Sequence, residues 1–352
     1  MKASAGCVVT RLRLFRWLLM AVLMFVLVPT LLMYGVRPLE LPMRRVQNAW
    51  MNIWANCSTV EPRQPIITFI PTGRLGNQIC EYAHLFMIHK TYNVAAAIHP
   101  EMLWSFGDMF ADLSLTPVMK KQCLRETDTA SIEEFPRLPT RGGITKNLLF
   151  VGTPCCCLTL WEDRDIWREE LQISRRMKIR TKKRINEMIS SWQGRQRNKS
   201  SNTQLTVIGV HVRRGDYGEW LRSHYGVDLM SESYYKNAFQ YYRDRFGSVL
   251  FLVLSEPYVR EWCQHHLERN SRDVYVVRDN GSPEEDIALL ASVHHFIYSH
   301  GTFGLWGIFL ADVQSVAYPR HNDTYKQYAH HHCFDEISLH SNKTEFVTIQ
   351  AK

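Results

Sequence analysis

The stretch Leu205 to Tyr217, LTVIGVHVRRGDY, constrains this chain more than any other. Its run of apolar and β-branched residues (Leu205, Val207, Ile208, Val210, Val212) has the length and composition of a strand buried on both faces. The run ends in Arg213, Arg214, Gly215 and Asp216, so a buried strand delivers two guanidiniums at its exit. In open α/β sheets, ligands sit beyond the carboxyl ends of strands. Arg suits phosphate there because its planar fork donates two parallel hydrogen bonds. The expected ligand is therefore phosphorylated.

The pattern downstream agrees with that fold. After Leu205 to Val212, helices are expected at Ser231 to Phe246, Pro257 to Leu267, Pro283 to Val293 and Gly304 to Ala311. They alternate with strands at Ser248 to Leu254, Val274 to Val277, Phe296 to Tyr298 and Ser315 to Tyr318. Such alternation builds a parallel sheet with helices on both faces. The strands end in polar residues: Arg213 and Arg214, then Ser255 and Glu256, then Arg278 and Asp279, then Ser299, His300, Gly301 and Thr302. Gly301, Thr302, Phe303 and Gly304 stand at the amino end of a helix, where free N–H groups and the helix dipole attract an anion. Thr302 is expected to cap that helix.

An earlier unit begins near Pro65, with a strand at Ile66 to Ile70, a glycine-rich turn, and a helix at Gln78 to Tyr92. Its GRLGNQ loop is neither a phosphate-binding P-loop nor a dinucleotide motif. Its Arg74, Asn77 and Gln78 are suited to line a crevice between two domains. Leu103 to Phe150 is turn-rich and yields no placed element. Trp161 to Trp192 reads as helical, with Ile185, Met188, Ile189 and Trp192 on one face and a block of Arg and Lys elsewhere. That block lacks interleaved aromatics and reads as a solvated face rather than a nucleic-acid surface. The polar linker at Gly194 to Gln204 marks a domain boundary, giving domains at 65–200 and 201–325 and a surface tail at 326–352.

Before the folded part, Trp17 to Val36 is mostly apolar and follows Lys2, Arg11, Arg13 and Arg16. About 20 residues at ~1.5 Å rise cross a ~30 Å hydrocarbon core, so 17–36 reads as a signal-anchor helix. It would follow a cytosolic tail (1–16) and precede a stem (37–64). The remainder is then lumenal. Asn-x-Ser/Thr sequons at Asn56, Asn198, Asn322 and Asn342 agree with that compartment. So does the even set of cysteines after the span (Cys57, Cys80, Cys123, Cys155, Cys156, Cys157, Cys263 and Cys333), as disulfide pairing requires. The net charge of +8 is modest for 352 residues and does not choose among anionic partners.

The strings GRLGNQ with EYAHLF, GVHVRRGDY and SHGTFGLWGIFLA resemble the characteristic segments of the α1,2-fucosyltransferases, in the same order, over roughly Ile66 to Arg320. The resemblance implies a GT-B-like fold of two Rossmann-like domains behind the membrane helix and stem. It implies inverting, metal-independent transfer of L-fucose from GDP-fucose to the 2-hydroxyl of a terminal galactose, on a glycoprotein or glycolipid in the Golgi, with no nucleic-acid partner. It places Arg213 on the β-phosphate with Arg214 beside it, His211 near the nucleoside, and Ser255, Glu256, Gly301, Thr302 and Phe303 around the donor. Relatives often carry Asp where this chain has Glu256, and paired glycines where it has Asp312 and Val313. Arg213 and Asp216 are the catalytic candidates, with Glu81 a second possible base. Asp163 and Asp165, within a charged helix, and His330 to Cys333, in the tail, are not expected to bind metal. The rival reading is a catalytically inactive, lectin-like relative. The Arg214-Gly215-Asp216 tripeptide leaves a buried strand directly, unlike an adhesive loop tip.

Overall fold

The computed structural model describes residues 66–117, 127–131, 147–152, 154–155, 157–195, 204–320 and 329–350, all within the unit Asn56–Lys352. The expected cytosolic tail, signal anchor and stem lie outside the described residues, as do Asn56, Asn198 and Asn322. Among the described residues, no helix is long and apolar enough to cross a membrane.

The first half runs β1 (Ile66–Ile70), α1 (Leu75–Tyr92), β2 (Ala95–Ile98), α2 (Pro100–Phe106), β3 (Thr116–Pro117), β4 (Thr127–Ser131) and β5 (Asn147–Val151). Its strands form one parallel sheet in the order β3-β2-β1-β5-β4. Three helices follow: α3 (Cys157–Glu162), α4 (Arg164–Trp167) and α5 (Arg175–Arg195).

The second half continues with β6 (Thr206–Val212), α6 (Tyr217–Tyr225), α7 (Glu232–Arg245), β7 (Val249–Ser255), α8 (Arg260–Cys263), β8 (Val274–Val276) and α9 (Pro283–Leu290). It closes with β9 (His295–Ile297), α10 (Gly301–Leu310), β10 (Ser315–Arg320), α11 (Ala329–His340) and β11 (Glu345–Gln350). Its parallel sheet has the order β11-β10-β9-β6-β7-β8. Two parallel α/β sheets in succession are the GT-B-like arrangement that the family resemblance implies.

Side chains of a strand alternate between faces, and both faces of β7 are buried. Leu250, Leu252 and Leu254 enter the core shared with the first sheet. Val249, Phe251 and Val253 enter a second core on the other face, with Tyr234, Tyr235, Phe239 and Tyr242 of α7. The helices start where local chemistry allows. Ser231 accepts a hydrogen bond from the Tyr234 amide, and Ser282 forms a capping box with Glu285 ahead of Pro283.

The first half is tied to the second by α1 against α10. Trp306 of α10 is fully buried, meets Trp167 edge-on at 5.3 Å between ring centroids, and donates its indole N–H to Cys80 Sγ of α1 at 3.1 Å. Cys80 is disulfide-bonded to Cys155 across 75 residues. Closing a loop of that length restricts the unfolded chain by about 4 kcal/mol in the chain-entropy treatment. Cys155→Ser is therefore expected to lower the unfolding free energy by about 2–4 kcal/mol, read as a drop in denaturant midpoint with a steeper slope, because the unfolded chain loses its cross-link.

Several expectations are corrected. Cys263 is a buried free thiol, so the cysteines after residue 36 do not all pair. The pairing of Cys57, Cys123, Cys156, Cys157 and Cys333 lies outside the described side chains. Trp161 to Trp192 is broken rather than continuous. Residues after α4 turn back to the first half, where Phe110 bridges Ile173, and Ser174 restarts the helix by accepting from the Met177 amide. The turn-rich stretch Leu103 to Phe150 contains β3, β4 and part of β5.

The tail expected to be surface is instead part of the core. β11 pairs along its whole length with β10, Phe334 and Ile337 are fully buried, and Phe334 meets Tyr298 at 4.9 Å. Its apolar residues are spaced too sparsely among polar ones to reveal a helix and strand.

Candidate active site

One cavity of about 980 Å³ opens at the carboxyl ends of the second sheet and is closed on the far side by the turn between β1 and α1. It lies within the usual size of small-molecule sites, roughly 300–1,000 Å³. It is lined by Arg74, Asn77 and Gln78 from the first half and by His211, Arg213, Asp216, Ser255, Glu256, Gly301, Thr302 and Phe303 from the second. All of these are residues that the sequence and its family resemblance point to.

Arg213 is held from several sides. Its amide donates to Ser299 Oγ at 3.2 Å, its Nη2 to Asp216 Oδ1 at 2.7 Å, and its Nη1 pairs with Glu256. The guanidinium carbon lies 4.8 Å from the Tyr217 ring centroid. Asp216 also accepts from Arg74 Nη2 at 3.0 Å. Burial alone would raise the Asp216 pKa, but the Arg213 hydrogen bond and charge, with Arg74 behind them, hold the carboxylate below its ordinary value.

Gly301 opens α10 at φ +81, a left-handed conformation that favours glycine. The helix therefore starts abruptly and presents unbonded amides to the cavity. Thr302 does not cap it. Its hydroxyl donates to Asn77 Oδ1 at 2.7 Å, so the two halves touch through that bond. Gly76 makes this approach possible, because a Cβ there would lie 2.6 Å from Thr302 Oγ1 and 2.7 Å from the Phe303 amide nitrogen.

His211 stacks on Phe303 with centroids 5.3 Å apart, and the absent Cβ of Gly304 leaves room for its ring. Burial, then the positive charge of Arg213, push its pKa down to about 3, so the imidazole is neutral throughout the physiological range.

Arg214 is corrected: it does not line the cavity. Consecutive residues leaving a strand point to opposite faces. Arg214 Nη1 donates to the Met230 carbonyl at 2.8 Å, and its guanidinium lies 3.8 Å from the Trp262 ring centroid. It is a structural strut. Arg278 and Asp279 are likewise absent from the lining. Arg278 pairs with Glu268, and Asp279 is taken by Arg184. Residues the sequence reading missed include Tyr217, Trp220, Arg260 and Asp286. Asp286 had one usable signal, the Ser-Pro-Glu-Glu helix start a short loop after the parallel strand β8.

The profile of glycosyl transferase family 11 matches residues 38–333. The chain belongs to glycosyl transferase family 11.

This family 11 chain is 27% identical over 253 residues to galactoside alpha-(1,2)-fucosyltransferase 1 of Bos taurus, covering 71% of the chain and 67% of that protein. It is 25% identical over 292 residues to galactoside alpha-(1,2)-fucosyltransferase 2 of Sus scrofa, covering 79% and 81% respectively. Among solved structures it is similar to POFUT1 in complex with GDP (TM-score 0.46, 12% identity, 72% of this chain and 95% of that one). It is also similar to fucosyltransferase NodZ from Bradyrhizobium (TM-score 0.44, 12% identity, 70% and 92%).

Glu81, the other carboxylate raised as a base, stands behind the site of this glycosyltransferase and does not line it. It is fully buried on α1 and accepts from the Thr72 amide at 2.9 Å and the Thr72 hydroxyl at 2.5 Å. Burial raises its pKa to about 7 against these lowering bonds. A carboxyl raised above its unfolded value stabilises the fold while protonated, and that contribution is lost as pH climbs from about 4.5 through 7. Glu81→Gln is therefore expected to gain up to about 3 kcal/mol on the wild type between pH 5 and 8. Denaturant unfolding at several pH values checks this, and parallel profiles would refute it.

Among the described residues, no group of three or more His, Cys, Asp or Glu side chains is arranged to hold a metal ion. The side chains of His330 to Cys333 lie outside the description. Asn342 is exposed in the bend between α11 and β11.

Proposed function

We propose that this protein transfers L-fucose from GDP-fucose to the 2-hydroxyl of a terminal galactose, with inversion to an α1,2 linkage. The observation that carries this reading is the convergence of Arg213 and the amino end of α10 in one cavity, closed by the GRLGNQ loop. Family 11 membership and the names of the relatives support the sugar and the acceptor.

In the reaction, the bond from the anomeric carbon to the β-phosphate oxygen breaks as the galactose 2-hydroxyl oxygen bonds to the opposite face, its proton passing to solvent water. The electron pair goes to the diphosphate, where Arg213 and the α10 amides meet the growing charge. Glu256 and Asp216 keep the Arg213 fork aimed before the donor arrives. Asp216, pinned by two guanidiniums, is assigned to this positioning rather than to proton removal. The reading needs no divalent cation, since side chain and helix end supply the compensating charge.

The cavity side of the chain would face the Golgi lumen behind a signal anchor at 17–36, a placement that rests on the sequons and the apolar span. The test is to incubate the purified protein with GDP-fucose and a panel of β-galactosides, with and without a chelator. Release of GDP with formation of a 2-fucosylated product, unaffected by chelation, is expected. Glycan binding without GDP release would identify an inactive relative, and strict Mn²⁺ dependence would remove the metal-free mechanism.

A further inference from the structure

The cavity has two electrically different ends. One carries Arg213 and the amides of α10, suited to a diphosphate. The wall built by the end of β7, α8 and the start of α9 carries Glu256, Glu284 and Asp286, with Arg260 beside them. Glu256 is already neutralised by Arg213. Carboxylate oxygens repel phosphate but accept hydrogen bonds, so this wall suits the N–H and O–H donors of a nucleoside.

Asp286 is tied from behind. Arg184, on α5 and 102 residues earlier in the chain, donates from Nη2 to Asp286 Oδ1 at 2.7 Å. The same guanidinium grips Asp279 through Nε at 2.7 Å and Nη2 at 2.5 Å. Its side chain is only 11% exposed, and any side chain at Gly281 would collide with it. One helical turn away, Arg180 pairs with Glu285 at 3.2 Å and with Asp108 at 2.7 Å. Two rungs therefore fasten α5 to the first turn of α9, yet Arg184 itself does not line the cavity.

We propose that Arg184 is a positioning residue for donor binding: from outside the cavity it fixes the Asp286 carboxylate toward the nucleoside. The proposal rests on the GDP-sugar reading above and extends it to a residue in the half of the chain opposite the nucleotide sheet. Burial pushes the Asp286 pKa up to about 6, with Asp279 adding to the rise and Arg184 and Arg260 opposing it. Loss of Arg184 would leave the carboxyl both free to turn and protonated at higher pH.

The test uses the full chain and three probes: GDP, inorganic pyrophosphate and pH. Arg184→Met is expected to weaken GDP binding by roughly 10- to 100-fold, the span of one hydrogen bond to a charged group, while pyrophosphate affinity stays within about twofold. Arg184→Lys should restore part of the loss. Asp286→Asn should reproduce it, with the double variant no weaker than either single one. Wild-type GDP affinity should fall as pH drops through about 6, with the fall moved to higher pH in Arg184→Met. Equal loss of GDP and pyrophosphate, or additive losses in the double variant, would reduce Arg184 to a structural tie and overturn the proposal. So would unchanged GDP binding in Arg184→Met. Failure of the wild type to bind GDP would instead overturn the functional reading, and this inference with it.

Discussion

Arg213→Ala is expected to lower kcat/KM for fucosyl transfer by about a thousandfold, mostly through kcat. Removing a single preorganised donor to a developing anion costs roughly 10²- to 10³-fold, and Arg213 offers both a fork and a full charge. The effect falls on kcat because the charge it meets grows as the sugar departs. Arg213→Lys keeps the charge, loses the fork and sits between the two. The variant should still fold, since Arg213 projects into a cavity and the strand it leaves is buried through Val210 and Val212. Steady-state kinetics with GDP release as the readout decides it. A kcat/KM within about threefold of wild type would withdraw the assigned role.

Gly76→Ala is expected to be nearly as damaging, by a different route. A methyl group at Gly76 would sit 2.6 Å from Thr302 Oγ1, 2.7 Å from the Phe303 amide nitrogen and 2.8 Å from the Thr302 carbonyl carbon. Two of those atoms are backbone and do not rotate away, so α1 and α10 must part. These are the helices that bring the GRLGNQ loop and the anion end together. Overpacking of this kind costs about 1–3 kcal/mol, and misplacing catalytic groups by about 1 Å costs on the order of 10²-fold in rate. The expected outcome is a lowered Tm together with a fall in kcat of about that size. Wild-type kinetics with an unchanged Tm would show that the halves do not need this contact.

The site was legible where chemistry is local. β6 announced itself because a strand buried on both faces reads as a mostly apolar, β-branched run, broken here only by Thr206, Gly209 and His211, and the polar exit at Arg213 followed from the same logic. Which guanidinium faces the ligand was decided by strand alternation, which assigns Arg213 and Arg214 to opposite sides once one of them is fixed. Arg278 and Asp279 looked equivalent to Arg213 in sequence, yet each is captured by a partner that only the tertiary fold supplies. The basic block on α5 shows the same limit. Lys178, Lys182 and Lys183 are exposed, as a solvated face requires, while Arg180 and Arg184 reach acidic groups distant in sequence. Residues 326–352 misled because their apolar positions are few, although Phe334 and Ile337 suffice to anchor α11.

That last segment matters for anyone shortening the chain. β11 covers β10 over six residues, from Ser315 opposite Glu345 to Arg320 opposite Gln350. A protein stopped at Arg320 would keep every residue of the cavity and still leave the outermost strand with a row of bare amides and carbonyls. Such a rim invites association between copies, so an inert truncated preparation would report on clumping rather than on chemistry.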